Sequence, residues 1–331
     1  MDYLNLPKIE LHLHLDCSLS FEVVRRLDPV VDEAAYRRHF VAPPRCLDLA
    51  DFLSRTGRGI QLMQSREQLR VATLDLMRQL RADRVIYAEI RFAPLLHTEG
   101  GLSAGTVVEI VHRALEEGMA QTGVEARLIL CTLRHFREAQ SMQTVRLIES
   151  FSGGKVVGFD IASDEANFPV DEHLKAFYYA RDRGIPRTAH AGEARGPASV
   201  WETLEHFAPS RLGHGVRSIE DDRLVEHLSE RNIHLEVCPS SNLQTNIYES
   251  LSDHPVDRLR RSGVSVGINT DGRTLVNVTL SEEYRKLADT FEWEPAHFLR
   301  ANLNALEAAF LEKEEKERLR TRLEEGYEQV R

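Results

Sequence analysis

Pro7-Lys8-Ile9-Glu10-Leu11-His12-Leu13-His14-Leu15-Asp16 is an apolar run near the N-terminus that carries two histidines one residue apart. Side chains i and i+2 of a strand share a face. Read as a strand, the run projects His12 and His14 together, so two imidazole nitrogens reach one cation. A lone His-x-His also fits a buried structural pair, so the fold and its chemistry are decided by what the rest of the chain brings to its strand ends.

Outward from this run, apolar β-rich segments recur at Ile9–Leu15, Val85–Phe92, Ala126–Thr132, Val156–Ile161, Ile185–His190, Arg211–His214, His234–Val237 and Val264–Asn269. Amphipathic helical patterns lie between most of them: Glu67–Ala82, Ala104–Gln121, Arg137–Phe151, Asp171–Arg183, Pro197–Phe207, Ile219–Arg231 and Val256–Ser262. Strand alternating with helix implies parallel strands and right-handed crossovers. Eight such units predict an α/β fold, a closed (β/α)8 TIM barrel. A doubly wound sheet is the rival, but no Gly-x-Gly-x-x-Gly follows the first strand.

Two regions break the rhythm. Residues 18–65 separate the first strand from its helix and carry short helical patterns at Phe21–Leu27, Asp32–His39 and Leu47–Arg55. An insertion there sits on the catalytic face of such a barrel and reads as a helical lid; a surface subdomain away from the pocket is the alternative. After the last strand, Ser281–Asp289, Pro295–Leu306 and the charged Glu312–Gln329 read as extra C-terminal helices, the last as a solvated face. No repeat, low-complexity tract or linker divides residues 1–331, which are read as a single domain.

At 331 residues, 42% hydrophobic and 28% charged, the chain has the composition of a globular protein with a sizeable core. A formal net charge of −10 disfavours a nucleic-acid-binding surface. No apolar run approaches the roughly 20 residues needed to span a bilayer, and no secretory signal pattern opens the chain. Cys17, Cys46, Cys131 and Cys238 lack CxxC spacing and read as free thiols of a reducing compartment, hence a cytoplasmic protein. Oligomeric state is not encoded in any pattern found.

In a barrel the carboxyl ends of the strands converge. Standing there are His12, His14 and Asp16; Ser163-Asp164-Glu165; His190-Ala191-Gly192-Glu193; Gly213-His214-Gly215; Cys238-Pro239-Ser240-Ser241-Asn242; and Asn269-Thr270-Asp271-Gly272. His12, His14, His190 and Asp271 offer three imidazoles and one carboxylate, a donor set suited to one zinc ion per chain. Glu193, just past the Gly192 bend, is placed as a general acid. His214, bracketed by glycines, either hydrogen-bonds the attacking water or serves as a fourth nitrogen ligand. Cys17 reads as a small buried residue rather than a ligand. No His-Glu-x-x-His or Pro-Cys-x-x-Cys occurs, and Lys155 lies before strand four, where it cannot bridge two metals.

Seven segments in order resemble the adenosine deaminase family of metal-dependent amidohydrolases: Pro7 to Asp16, Tyr87 to Pro94, Val157 to Ala162, His190 to Glu193, Gly213 to Gly215, Glu236 to Asn242, and Asn269 to Asp271. The resemblance implies zinc-dependent hydrolytic deamination of a 6-aminopurine nucleoside, adenosine or deoxyadenosine, to inosine-type product plus ammonia. It implies zinc on His12, His14, His190 and Asp271, a proton donor in Glu193, a water-supporting His214, and substrate contacts from His14, from Asp16 to the ribose 5′ hydroxyl, and from the Ser163 amide. Three positions depart from the family pattern: Cys17 stands where a glycine is usual, Ser163 replaces a glycine, and Gly272 replaces a second aspartate that contacts purine N7. Those departures keep open a modified adenosine such as 6-aminodeoxyfutalosine, or adenine, as substrate. A catalytically silent purine-binding protein and a non-purine amidohydrolase are the readings from other classes.

Overall fold

The computed structural model describes residues 2–151 and 153–329, so the ends of the predicted 1–331 domain lie outside the described residues. Eight parallel strands form the centre: β1 (Lys8–His14), β2 (Val85–Phe92), β3 (Glu125–Leu133), β4 (Val156–Ala162), β5 (Thr188–Ala191), β6 (Arg211–His214), β7 (His234–Val237) and β8 (Val266–Ile268). Continuous ladders join β1 to β4 and β5 to β8. Two bridges close the ring, Phe159 with Arg187 and Leu13 with Asp271. At the second seam the His14 amide donates to Asp271 O (2.7 Å) and the Asp271 amide to His12 O (3.1 Å). The backbone bonds that shut this TIM barrel therefore belong to three of the predicted ligands.

Around the strands lie α1 (Phe21–Leu27), α2 (Glu33–His39), α3 (Leu49–Leu53), α4 (Gly57–Gln61), α5 (Arg66–Ala82), α6 (Ala104–Thr122), α7 (Glu138–Ser150), α8 (Leu174–Asp182), α9 (Pro197–Phe207), α10 (Asp222–Glu230), α11 (Pro239–Gln244), α12 (Val256–Arg261), α13 (Leu280–Phe291), α14 (Pro295–Ala308) and α15 (Lys313–Glu328). Three of the insertion's short helices, α1, α2 and α3, start on capping side chains, Ser20, Asp32 and Asp48, which accept from amides of the first turn. That is how segments too short to nucleate alone are held. Pro197 and Pro295 open α9 and α14, where a missing N–H costs nothing.

The predicted elements recur with shifted ends. The expected strand Ile185–His190 begins only at Thr188, and Val264–Asn269 shortens to Val266–Ile268. Helices α4 and α11 and a π-helical turn at Arg273–Asn277 were not anticipated. The solvated-face reading of the last helix is corrected: Leu319, Leu323 and Tyr327 are buried, and Asn302 Nδ2 on α14 donates to Tyr327 Oη (3.0 Å). Its apolar stripe is only three residues long in a highly charged segment, so composition hid it. Among the described residues no helix is long and apolar enough to cross a membrane.

Candidate metal and catalytic centre

A β-bulge prepares the first ligand. Register slips between Glu10 and Leu13, and the amides of Leu11 and His12 both donate to Asn269 Oδ1 (2.8 and 3.0 Å). A bulge re-aims the side chains beyond it. Past this one, His12 and His14 turn into the barrel mouth. Ligand atoms of His12, His190, His214 and Asp271 all lie within 4.8 Å of one another, and all four residues are buried. His14 Nε2 joins them, 3.2 Å from His190 Nε2 and 3.4 Å from Asp271 Oδ1. The structure thus brings together all five residues that the sequence nominated for the cation and its water.

Two buried carboxylates orient two of these histidines. His12 Nδ1 lies 2.9 Å from Glu236 Oε2, and His190 Nδ1 lies 3.1 Å from Asp160 Oδ2. A carboxylate partner holds the proton on Nδ1 and leaves the Nε2 lone pair facing the site. His12 Nε2 is fully buried with no hydrogen-bond partner, an orphan a cation would satisfy. Two imidazole Nε2 atoms 3.2 Å apart beside one carboxylate are a donor set for a divalent metal. Arg91 on β2 spans the interior and braces both carboxylates, 2.8 Å to Asp160 and 2.6 Å to Glu236, all three fully buried. Ser241 Oγ donates to Asp271 Oδ2 (2.7 Å).

Glu193 stands beside this cluster, its Oε2 3.6 Å from His214 Nε2. Its other oxygen has no partner. Burial, reinforced by the charges of Asp271 and Glu165, pushes its carboxyl well above the usual glutamate range, a shift toward the protonated form. The loop that carries it is fixed by Glu165, which accepts from the amides of Gly192 (2.7 Å), Glu193 (3.0 Å), Ala194 (2.6 Å) and Arg195 (3.0 Å) and from Ser199 Oγ (2.6 Å). Burial drives His214 well below the ordinary imidazole value, so it is neutral.

Gly213 is glycine for a reason: a Cβ there would sit 2.8 Å from His12 Cε1 and 3.2 Å from His190 Cγ. Ser163, His214 and Asp271 adopt left-handed backbone, φ +83, +60 and +66. Each is a strain of order 1–3 kcal/mol, of the kind concentrated at functional sites.

A cavity of about 50 Å³ faces the cluster, and one of about 570 Å³ opens outside it. His14, Cys17, Leu53, Thr56, Ala162 and Ser163 line both. Residues of the insertion, Leu49, Phe52 and Leu53 among them, line the inner cavity. Asp16 lines the outer one, beside the buried His97 (3.7 Å). Among the described residues, no lysine or arginine lines either cavity; Arg55 lies in an adjoining crevice, paired with Asp51 (3.1 Å).

Cys17, expected to be buried, is mostly but not fully buried, on the cavity wall. It explains Gly272, because a Cβ on Gly272 would lie 2.6 Å from Cys17 Cβ and 3.1 Å from Cys17 O. The two departures at these positions are one steric exchange. Arg273 turns away from the cavity into ion pairs with Glu10 (2.6 Å) and Asp83 (3.0 Å).

Sequence reasoning assigned no role to Glu236, Asp160, Arg91 or Glu165. The signal was present: ionisable residues inside apolar strands, as in Gly158-Phe159-Asp160-Ile161, must find buried partners.

Fold and site together define an amidohydrolase barrel enzyme. The family model described as adenosine deaminase matches residues 7–326, and the chain belongs to that family. It is 34% identical over 328 residues to an adenosine deaminase of Clostridium acetobutylicum, covering 97% of this chain and 98% of that protein. It is 36% identical over 335 residues to one of Haemophilus ducreyi, covering 97% of each. Among solved structures it resembles the adenine deaminase of Arthrobacter aurescens, with a TM-score of 0.89, 26% identity, and coverage of 98% and 99%.

Proposed function

We propose that the protein hydrolyses the exocyclic amine of adenosine or deoxyadenosine, giving inosine or deoxyinosine and ammonia, with one zinc ion held by His12, His14, His190 and Asp271. The observation that carries the reading is the set of inward-facing Nε2 atoms, two of them on histidines oriented by Glu236 and Asp160, next to the buried Glu193 carboxyl, whose protonated form burial favours. When bound, zinc supplies a water acidic enough to ionise near neutral pH. His214 and Asp271 orient the attacking water toward purine C6. Glu193 donates its proton to N1 as the tetrahedral centre forms, so negative charge does not accumulate on the ring. The buried site excludes bulk water from that transfer.

With C6 at the cluster, N9 points to the outer cavity, where Asp16 meets the sugar. The lack of cations lining either cavity favours an unphosphorylated substrate. The outer cavity, with half-exposed Phe168 on its wall, has the size that takes a drug-sized ligand. That favours, as a second reading, an adenine nucleoside bulkier than adenosine, of the 6-aminodeoxyfutalosine kind.

Loss of the adenine absorbance band is the assay. Adenosine should be consumed and AMP should not, by at least about 100-fold in kcat/KM. E193Q should lower kcat about 10²–10⁴-fold while zinc stays near one per chain. Normal turnover in E193Q removes Glu193 from the mechanism.

A further inference from the structure

The interior side of His214 carries a chain of hydrogen bonds that ends on a donor of fixed polarity. Val256 is the first residue of α12 and its amide can only donate; it points at His254 Nδ1 (3.2 Å). His254 is 2% exposed, and burial pushes it down to about 3, so it is neutral and carries one proton. With Nδ1 accepting, that proton is on Nε2, which lies 3.1 Å from Asn242 Oδ1. Nε2–H therefore donates to the amide oxygen. This fixes which end of the Asn242 amide faces which way, a choice atom positions alone do not settle. The opposite orientation would aim an N–H of Asn242 at a nitrogen that already bears hydrogen. Asn242 Nδ2 accordingly faces His214 Nδ1 (3.1 Å) and donates to it. Because His214 Nδ1 accepts this bond, the ring proton sits on Nε2, the nitrogen facing Glu193 and the cavity.

We infer that His254 and Asn242 are positioning residues that lock His214 as the Nε2–H tautomer, a hydrogen-bond donor to the reaction centre and not a metal ligand. His214 Nε2 lies among the potential ligand atoms by distance alone, but a protonated nitrogen has no lone pair to give. His12 and His190 are the reverse case. Carboxylates hold their protons on Nδ1 and free Nε2 for a cation. The same residue type is thus sorted into ligand and donor by whether its Nδ1 meets a carboxylate oxygen or an amide N–H. The consequence for chemistry rests on the deaminase reading; the proton positions do not.

The test is a long-range ¹H–¹⁵N correlation spectrum of the ¹⁵N-labelled wild-type protein, with His214 and His254 assigned by signal loss in H214Q and H254F. Protonated Nε2 in both residues is expected, and a proton on Nδ1 of His214 overturns the inference. N242L, which removes the donor at similar size, should lower kcat for adenosine by up to about 10⁴-fold with KM and zinc content near wild type. H254F, one hydrogen bond further away, should lower kcat by a smaller factor and mix the His214 tautomers, which serves if N242L fails to fold. An unchanged His214 spectrum in H254F overturns the relay. A wild-type protein that deaminates no 6-aminopurine refutes the reaction, and the spectrum still decides the proton positions.

Discussion

Cys17 and Gly272 are two residues that behave as one. The thiol-bearing carbon occupies the space a side chain at 272 would need, so position 272 can take a side chain without strain only if position 17 gives up its own. Overpacking of this kind costs about 1–3 kcal/mol when backbone must give way. G272A should therefore lose stability by about that much in urea unfolding, and C17G/G272A should recover most of it. Additive losses in the double variant would show that the two positions are not coupled. The exchange also bears on substrate. Where the family pattern puts a carboxylate, this cavity presents a thiol whose proton is held firmly by burial and by the charges of Asp16 and Asp271. The cavity wall is consequently neutral at this point, and the C17G/G272D variant is the way to put a carboxylate there.

At the scale of elements, short helices hold the site from outside. Helix α11 carries Ser241 and Asn242, and its Ser240 amide donates to Glu283 Oε1 on α13 (3.0 Å). The other Glu283 oxygen is buried without a partner, and burial raises this carboxyl to about 7. The folded state thus binds the proton more tightly than the unfolded chain, whose glutamates titrate near 4.3. This linkage stabilises fully below the unfolded value and is lost as pH rises through about 7, a swing of roughly 4 kcal/mol. E283Q keeps an acceptor for the Ser240 amide and cannot titrate. Its stability advantage over wild type should grow between pH 4.5 and 8, and parallel pH curves for the two proteins would disprove the shift. α11 and its anchor were not legible in the sequence. Pro239-Ser-Ser-Asn-Leu-Gln is too short for an apolar period, and Glu283 reads as one surface acid among many. What was legible were the long periodic elements, the eight strands and helices such as α5 and α6, because their patterns repeat often enough to exceed chance.

The whole barrel differs from the usual plan in what fills it. Layers of branched apolar side chains commonly pack a (β/α)8 interior, whereas here Arg91, Asp160, Glu236 and Arg211 lie buried within it. Arg211 Nε is 2.5 Å from Glu236, and Arg211 NH1 donates to Ala308 O (2.8 Å) at the end of α14. A chain of charge therefore runs from His12 and His190 through their carboxylates and Arg91 to the C-terminal helices. His12, His14, His190, Glu193, His214 and Asp271 could be found in the sequence because each stands at a strand end beside a glycine, histidine or acid. The supporting charges stand mid-strand, where a contact across the barrel leaves no spacing to read. The bulge at Leu11–His12 was hidden for a related reason, since its acceptor, Asn269, is 257 residues from His12. Removing one member of such a network leaves others charged and buried, a loss of about 3–5 kcal/mol. R91M should show that loss. Because Arg91 holds both Glu236 and Asp160, it should also weaken zinc retention about 10–100-fold, read as faster zinc release to a chelator from the folded protein. R127M is the control, because Arg127 is also nearly buried but pairs with Glu315 on α15, away from the ligands. It should lose stability and keep its zinc. If R91M behaves as R127M does, the charges inside the barrel serve the fold alone, and the histidines hold their orientation without them.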